Sequence, residues 1–294
     1  MIIVRIKGGL GNQLFQYSLG LQIARIRNEE LYLDLSWFVK NNIDTRREFI
    51  LDKFTSNYNI ASESDLVPFL LETFYSRTCR RLVNLLVPTK FRKYIREREG
   101  KLNSEIIHNK RGVYFDGTWM SERYFDLMSH EIRLLFGARR VLNGYYSGIE
   151  EFMGKSNSVC VHVRRGDYAY NNRTMKYHGL LTLNYYQSAI TYINNRLSNL
   201  TFFFFSDDIS WVRDTFGDLS NHVYVFSNDA SRDIQEFYLM SRCNHFIIAN
   251  STFSWWAAWL GNYSDKTVCA PRRWSSQIKD SRKFLPENWK TFEL

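Results

Sequence analysis

From residue 158 onward the chain alternates short apolar runs with helical stretches, a pattern that fits a parallel sheet covered by helices and little else. The runs fall at 159–163, 202–205, 223–226, 246–249 and 267–270, with helical periodicity at about 183–198, 208–216, 232–242 and 253–260 between them. A strand that is apolar at every position is buried on both faces, and sheets buried on both faces are parallel sheets with helices above and below. The N-terminus opens in the same style. A strand at 2–6 runs into the turn Gly8-Gly9-Leu10-Gly11, then into a helix with Phe15, Leu19, Ile23 and Ile26 on one face, then into a strand at 31–35. A strand at 113–115 and a helix at 122–136 are expected, while residues 40–111 read only as basic helical stretches.

The 294 residues correspond to roughly two domains of about 150 residues. Small and polar residues cluster at 140–157, so the expected division is 1–150 and 151–294, with the tail of the second domain packing back on the first. Only 4 prolines and 15 glycines are present, which leaves no linker tract or low-complexity segment. The fold class is therefore α/β, with a doubly wound parallel sheet in the C-terminal half.

The chain carries a formal charge of +9, and most of the excess lies between Arg77 and Arg111, where eleven basic residues face three acids. That stretch reads as a solvated helical face or as a contact for an anionic membrane surface. No nucleic-acid recognition motif accompanies it, so no nucleic-acid partner is expected. The four cysteines, at 79, 160, 243 and 269, form no Cys-x-x-Cys pair and are expected as buried free thiols. The apolar start is four residues long and interrupted by Arg5, too short for a signal peptide, and no apolar run reaches 18 residues. A cytoplasmic location is the expectation.

In open α/β sheets, ligands bind beyond the carboxyl ends of the strands. The residues there are Arg164-Arg165-Gly166-Asp167-Tyr168, Ser206-Asp207-Asp208, Ser227-Asn228-Asp229 and Asn250-Ser251-Thr252-Phe253. Two guanidiniums closing one strand suit a phosphate, since arginine stays charged and bonds bidentately; a structural Arg–Asp pair with Asp167 is the alternative. His162 shares a strand face with Arg164 by the period of two. It is either a satisfied core histidine or a contact to the same ligand. Ser251 and Thr252 open a helix, whose free N–H groups suit a phosphate, although capping alone explains one of them. Asp207 and Asp208 are helix caps or ligands for hydroxyls and base N–H groups. The glycine turn is neither a P-loop nor a dinucleotide fingerprint, because Leu14 stands where the third glycine belongs. It lets backbone approach a ligand beside Asn12. No Asp-x-Asp and no His/Cys cluster with ligand spacing occurs in the sequence, so no metal or other cofactor is expected.

These blocks resemble the bacterial α-1,2-fucosyltransferases of glycosyltransferase family 11. The resemblance rests on GGLGNQLFQYSLG at 8–20, VHVRRGDY at 161–168, FFSDD at 204–208 and ANSTFSWWAAWLG at 249–261, with GVYFDGTWMSERYF at 112–125 a looser match. It implies a GT-B-like fold of two Rossmann-type domains facing a cleft. It also implies metal-independent, inverting transfer of L-fucose from GDP-β-L-fucose to the 2-hydroxyl of a terminal β-galactoside. Arg164 inherits the β-phosphate contact, supported by Arg165. Gly11, Asn12, His162, Asp207, Asp208, Asn250, Ser251, Thr252 and Phe253 complete the implied donor set. Asn12 lies near the reacting centre, Asp167 and His162 are the candidates for the base, and Trp119 and Glu122 are the acceptor-side candidates. O-antigen synthesis on a lipid-linked acceptor at the inner membrane face is the implied setting. The alternatives are another nucleotide-sugar transferase on the same scaffold and a basic nucleic-acid binder.

Overall fold

The computed structural model describes residues 1–40, 47–74, 93–98, 101–103, 106, 112–138 and 141–293. It divides into two compact units, Met1–Leu135 and Phe136–Leu294. The division falls ahead of the polar cluster expected to mark it, most of which folds as a helix of the second unit, Gly144–Gly154. Most of the basic stretch 77–111, and Cys79, lie outside the described residues.

In the first unit, β1 (Ile2–Arg5) leads through the glycine turn to α1 (Leu10–Arg27) and β2 (Leu31–Asp34). Then follow α2 (Ser36–Lys40), β3 (Asn59–Ile60), α3 (Glu63–Phe74), β4 (Tyr94–Arg96), β5 (Val113–Asp116) and α4 (Ser129–Phe136). The strand order is β3-β2-β1-β5-β4, with every pairing parallel. α1 is buried along nearly its whole length, and Gly20 lets it press onto the sheet: a Cβ there would stand 2.7 Å from both Val4 and Leu31.

The helix expected at 122–136 is shorter. Two 3₁₀ turns, Glu122–Tyr124 and Asp126–Met128, precede α4. Side chains compete here with the helical backbone bonds. Ser121 accepts from the Arg123 N–H, and the Leu127 N–H is taken by Asp126 (2.8 Å) and by Gln22 of α1 (2.9 Å). Between the turns, Phe125 is driven fully into the core.

The second unit opens with α5 (Gly144–Gly154) and β6 (Asn157–Val163). The segment after β6, in which no helical periodicity is read from the sequence, forms two short helices, α6 (Gly166–Tyr170) and α7 (Asn172–His178). The remainder follows the expected alternation: α8 (Leu183–Asn194), β7 (Leu200–Ser206), α9 (Ile209–Phe216), β8 (His222–Val225), α10 (Arg232–Arg242), β9 (His245–Ile247), α11 (Thr252–Leu260) and β10 (Val268–Pro271). The tail supplies β11 (Lys290–Phe292), the outermost strand of the second sheet. The order is β11-β10-β9-β6-β7-β8, again all parallel. Cys160, Cys243 and Cys269 are buried free thiols. The chain thus consists of two parallel α/β sheets, and in each the strand order reverses at one point: between β1 and β5, and between β6 and β9.

Candidate active site

Ligand crevices in open parallel sheets lie where the strand order reverses. In the second sheet that point is flanked by the segments leaving β6 and β9. These segments carry Arg164-Arg165 and Asn250-Ser251-Thr252, while β7, on the other side of β6, brings Asp207 and Asp208. The structure therefore gathers most of the sequence candidates of this half at one edge.

Strand register decides which charges meet. Val163 of β6 stands opposite Ser206 of β7, so the two arginines that follow β6 run beside the two aspartates that follow β7. Arg164 Nη1 lies 2.8 Å from Asp207 Oδ2, and Arg165 Nε donates to Asp208 Oδ2 at 3.1 Å. The backbone N–H of Arg165 also donates to Asp207 Oδ1 (2.8 Å). Arg165 lies over the Trp211 ring at 4.1 Å and Arg164 beside the Tyr168 ring at 5.5 Å. Both arginines are thus oriented by acids from β7. The Asp167 side chain lies outside the described residues.

Asp208 is also the cap of α9, accepting from the Trp211 N–H at 3.2 Å, so the capping reading holds for it. It does not hold for Ser251, which occupies the cap position of α11 without a side-chain capping bond. Thr252 begins that helix. Phe253 packs its ring against His162 (5.9 Å) and Phe237 (5.2 Å). Asn250 is 2% exposed, and its amide nitrogen donates to the carbonyls of His178, Gly179 and Trp274. The amide nitrogen of Asn250 thus clamps three chain segments, while its Oδ1 is buried with no hydrogen-bond partner among the described residues.

His162 is 6% exposed, and its Nδ1 is buried with no hydrogen-bond partner among the described residues. Burial pushes its pKa down to about 3; Asp207 pulls the other way and the Arg164 charge reinforces the drop. The ring is neutral across the physiological range and too weak a base to accept a substrate proton efficiently near pH 7. The unfolded state binds a proton on this residue below pH 6.5 and the folded state does not. Stability from His162 is therefore full above about pH 6.5 and is lost as pH falls towards 3. Denaturation of His162→Gln and wild-type protein at pH 7 and pH 5 is expected to show a smaller acid loss in the variant, by about 1.4 kcal/mol for each pH unit below 6.5. Equal acid losses would show that the ring is charged when folded.

Two residues at this edge escaped the sequence reading. Arg232 of α10 donates to the Ser206 carbonyl (2.7 Å) and to Glu236 (2.8 Å). Burial pushes the Glu236 carboxyl up to about 7, against the pull of Arg232. Their spacing of four is a common helical pair, and only the fold carries it to the end of β7.

In the first sheet the reversal point lies between the glycine turn after β1 and the segment after β5. Gly8 adopts φ +79°, and a Cβ there would stand 2.6 Å from the amide of Asn12, so the Asn12 side chain lies back over the turn. Gly11 and Asn12 belong to the first turn of α1. The two glutamines of this motif, unassigned from sequence, hold the edge together. Gln13 donates to the Gly8 and Glu48 carbonyls and accepts from the Ile50 and Leu51 N–H groups. Gln16 bonds both backbone groups of Lys7 and the Gly117 carbonyl. Asp116, at the end of β5, receives Lys7 Nζ (2.6 Å) and the Tyr94 hydroxyl (2.9 Å). Burial raises its carboxyl, yet these partners leave it below the usual carboxylate range.

Trp119, expected on the acceptor side, is 1% exposed and packs edge-on against Phe115 and Tyr124. The ring is buried among the described residues, because Glu97 ties the N–H groups of Thr118 and Trp119 and turns the residue inward at φ +61°. Glu122 sits half-buried at the first 3₁₀ turn.

The family model described as glycosyl transferase family 11 matches residues 1–293. An alpha-1,2-colitosyltransferase of Escherichia coli is 35% identical over 300 residues, covering all of this chain and 99% of the relative. The O-antigen biosynthesis glycosyltransferase WbnK of Escherichia coli is 30% identical over 305 residues, covering 97% of this chain and 98% of the relative. The galactoside 2-alpha-L-fucosyltransferase SEC1 of Bos taurus is 33% identical over 139 residues, which is 45% of this chain and 37% of the relative.

Proposed function

The chain belongs to glycosyl transferase family 11, and on that footing we propose that it transfers L-fucose from GDP-β-L-fucose to the 2-hydroxyl of a terminal β-galactoside, with inversion and without a metal ion, in the synthesis of an O-antigen or related surface glycan. The observation that carries the reading is Arg164, held by Asp207 at the strand-order reversal of the second sheet. The α-1,2 linkage and the O-antigen setting are supported by the names of the relatives.

The chemistry follows from charge. As the bond from fucosyl C1 to the phosphate oxygen breaks, positive charge spreads over C1 and the ring oxygen, and negative charge grows on the β-phosphate of GDP. A guanidinium that meets this charge more strongly in the transition state than in the ground state accelerates the step. Arg164 is assigned that role. Ser251, Thr252 and the N-terminus of α11 supply neutral donors to the same diphosphate. The galactose 2-hydroxyl attacks C1 from the opposite face and gives up its proton. Buried His162 is held neutral with its pKa pushed down, which disfavours it as the base and leaves Asp167 and the departing phosphate as the acceptors of that proton.

A second donor is favoured by one observation, the full-length match to a colitosyltransferase. Colitose is 3-deoxy-L-fucose, so the two donors differ by a single hydroxyl. A site built to bond that hydroxyl rejects the deoxy sugar by about 10⁴-fold, whereas one that merely tolerates it discriminates by roughly 10²-fold or less. The test measures acceptor-dependent GDP release from GDP-fucose and GDP-colitose, with UDP-galactose as control and lactose as acceptor. Release from GDP-fucose, with a product cleaved by an α-1,2-fucosidase, is expected. A preference for GDP-colitose moves the assignment to the second donor, and failure to bind GDP at all sinks both.

A further inference from the structure

We propose that Asp207 is a positioning residue for Arg164, and that residue 166 is glycine because only a missing side chain leaves room for that carboxylate. The inference deepens the proposed function and rests on its assignment of Arg164 to the leaving diphosphate.

Both oxygens of Asp207 are engaged from the β6 side. Oδ1 accepts from the backbone N–H of Arg165 (2.8 Å), and Oδ2 pairs with Arg164 Nη1 (2.8 Å). The carboxylate passes directly over Gly166. A Cβ at that position would stand 2.5 Å from Oδ2, 3.0 Å from Cγ and 3.5 Å from Cβ of Asp207. The oxygen most obstructed is the one that holds Arg164. Little slack exists on the other side. The Asp208 N–H is bonded to Ser206 Oγ (3.0 Å), and the Asp208 side chain is tied to both Arg165 and the start of α9. A methyl group on residue 166 therefore displaces the Asp207 side chain rather than its backbone, and Arg164 loses its seat.

The sign of the effect separates this role from donor binding. Asp207 is an anion beside a site for a diphosphate, so its direct electrostatic effect on bound GDP is unfavourable. Its benefit lies in holding the guanidinium where charge develops, and small misplacements of such a group cost about 10²-fold in rate. A residue that bound the donor would weaken GDP binding when removed; a positioning residue lowers kcat and leaves GDP affinity unchanged or tighter.

The test is a cycle of wild type, Asp207→Ala, Gly166→Ala and the double variant, with Asp207→Ser, which also lacks the oxygen over Gly166, in place of Asp207→Ala if the latter does not fold. Turnover of GDP-fucose, affinity for GDP and the rate of phenylglyoxal modification of Arg164 are measured on each. Asp207→Ala is expected to lower kcat by about 10²-fold without weakening GDP binding. Gly166→Ala moves kcat in the same direction, and in the Asp207→Ala background it has no further effect, because the group it displaces is gone. The same factor for Gly166→Ala in both backgrounds overturns the proposal, as does a loss of GDP affinity in Asp207→Ala equal to that in Arg164→Ala. If wild-type protein neither turns over GDP-fucose nor binds GDP, the proposed function fails by itself. The labelling of Arg164 then decides the positioning: faster modification in each single variant, with no added gain in the double, upholds it, and unchanged rates refute it.

Discussion

Arg164→Ala is expected to lower transfer by roughly 10²–10³-fold, a loss of about 3–4 kcal/mol of transition-state stabilisation. GDP binding weakens as well, since the guanidinium also meets the diphosphate in the ground state. The loss has two parts. The variant removes the cation, and it leaves the Asp207 carboxylate without its guanidinium at the edge where the diphosphate binds. Arg164→Lys keeps the charge but not the planar fork, and it is expected to restore GDP affinity more fully than turnover. Steady-state kinetics with isothermal titration of GDP checks both statements. An Arg164→Ala protein that folds and retains more than a tenth of wild-type turnover would remove Arg164 from the mechanism.

Gln13→Leu is expected to cost about 3–5 kcal/mol of stability, although the side chains have similar size. Gln13 is fully buried and makes four hydrogen bonds, two given to the Gly8 and Glu48 carbonyls and two taken from the Ile50 and Leu51 N–H groups. Leucine leaves those four backbone groups unpaired, and each buried orphan costs about 1–3 kcal/mol before relaxation and water recover part of it. The glycine turn and the segment at 48–51 are both anchored through this one amide, so they loosen together. Urea denaturation measures the loss, and Gln13→Glu, which keeps the acceptor pair but not the donors, is expected to fall between the two. A Gln13→Leu protein within 1 kcal/mol of wild type would show that these bonds are replaced by others.

The two predictions illustrate different degrees of legibility. Arg164 was visible because it closes an apolar strand, and a charged pair at a strand end in a parallel sheet points at the ligand edge. Gln13 and Gln16 stood in a motif read for its glycines, and nothing in a helical stretch says that a glutamine faces inward to hold loops. Trp119 shows the converse, a residue whose burial was not legible. The residue was expected on the acceptor side, yet the side-chain clamp of Glu97 turns it into the core. The helix expected at 122–136 failed for a related reason: its periodicity was correct, but Ser121, Gln22 and Asp126 capture the backbone N–H groups that a continuous helix needs.

By itself the sequence determined the α/β class, the parallel sheet of the C-terminal half and the edge at which its polar residues gather. Strand and helix are written in the spacing of apolar residues, which is local, and uniformly apolar strands can be buried only between layers of helices. Tertiary structure alone decided which acid holds which arginine, that His162 is neutral, and that residue 166 must lack a side chain. The two arginines and their two aspartates are 43 residues apart in sequence in the pair Arg165–Asp208, and they meet because Val163 is registered against Ser206. Charged partners are chosen by strand order and register, and burial sets their proton affinity; both are properties of chain segments brought together from a distance, which no local pattern encodes.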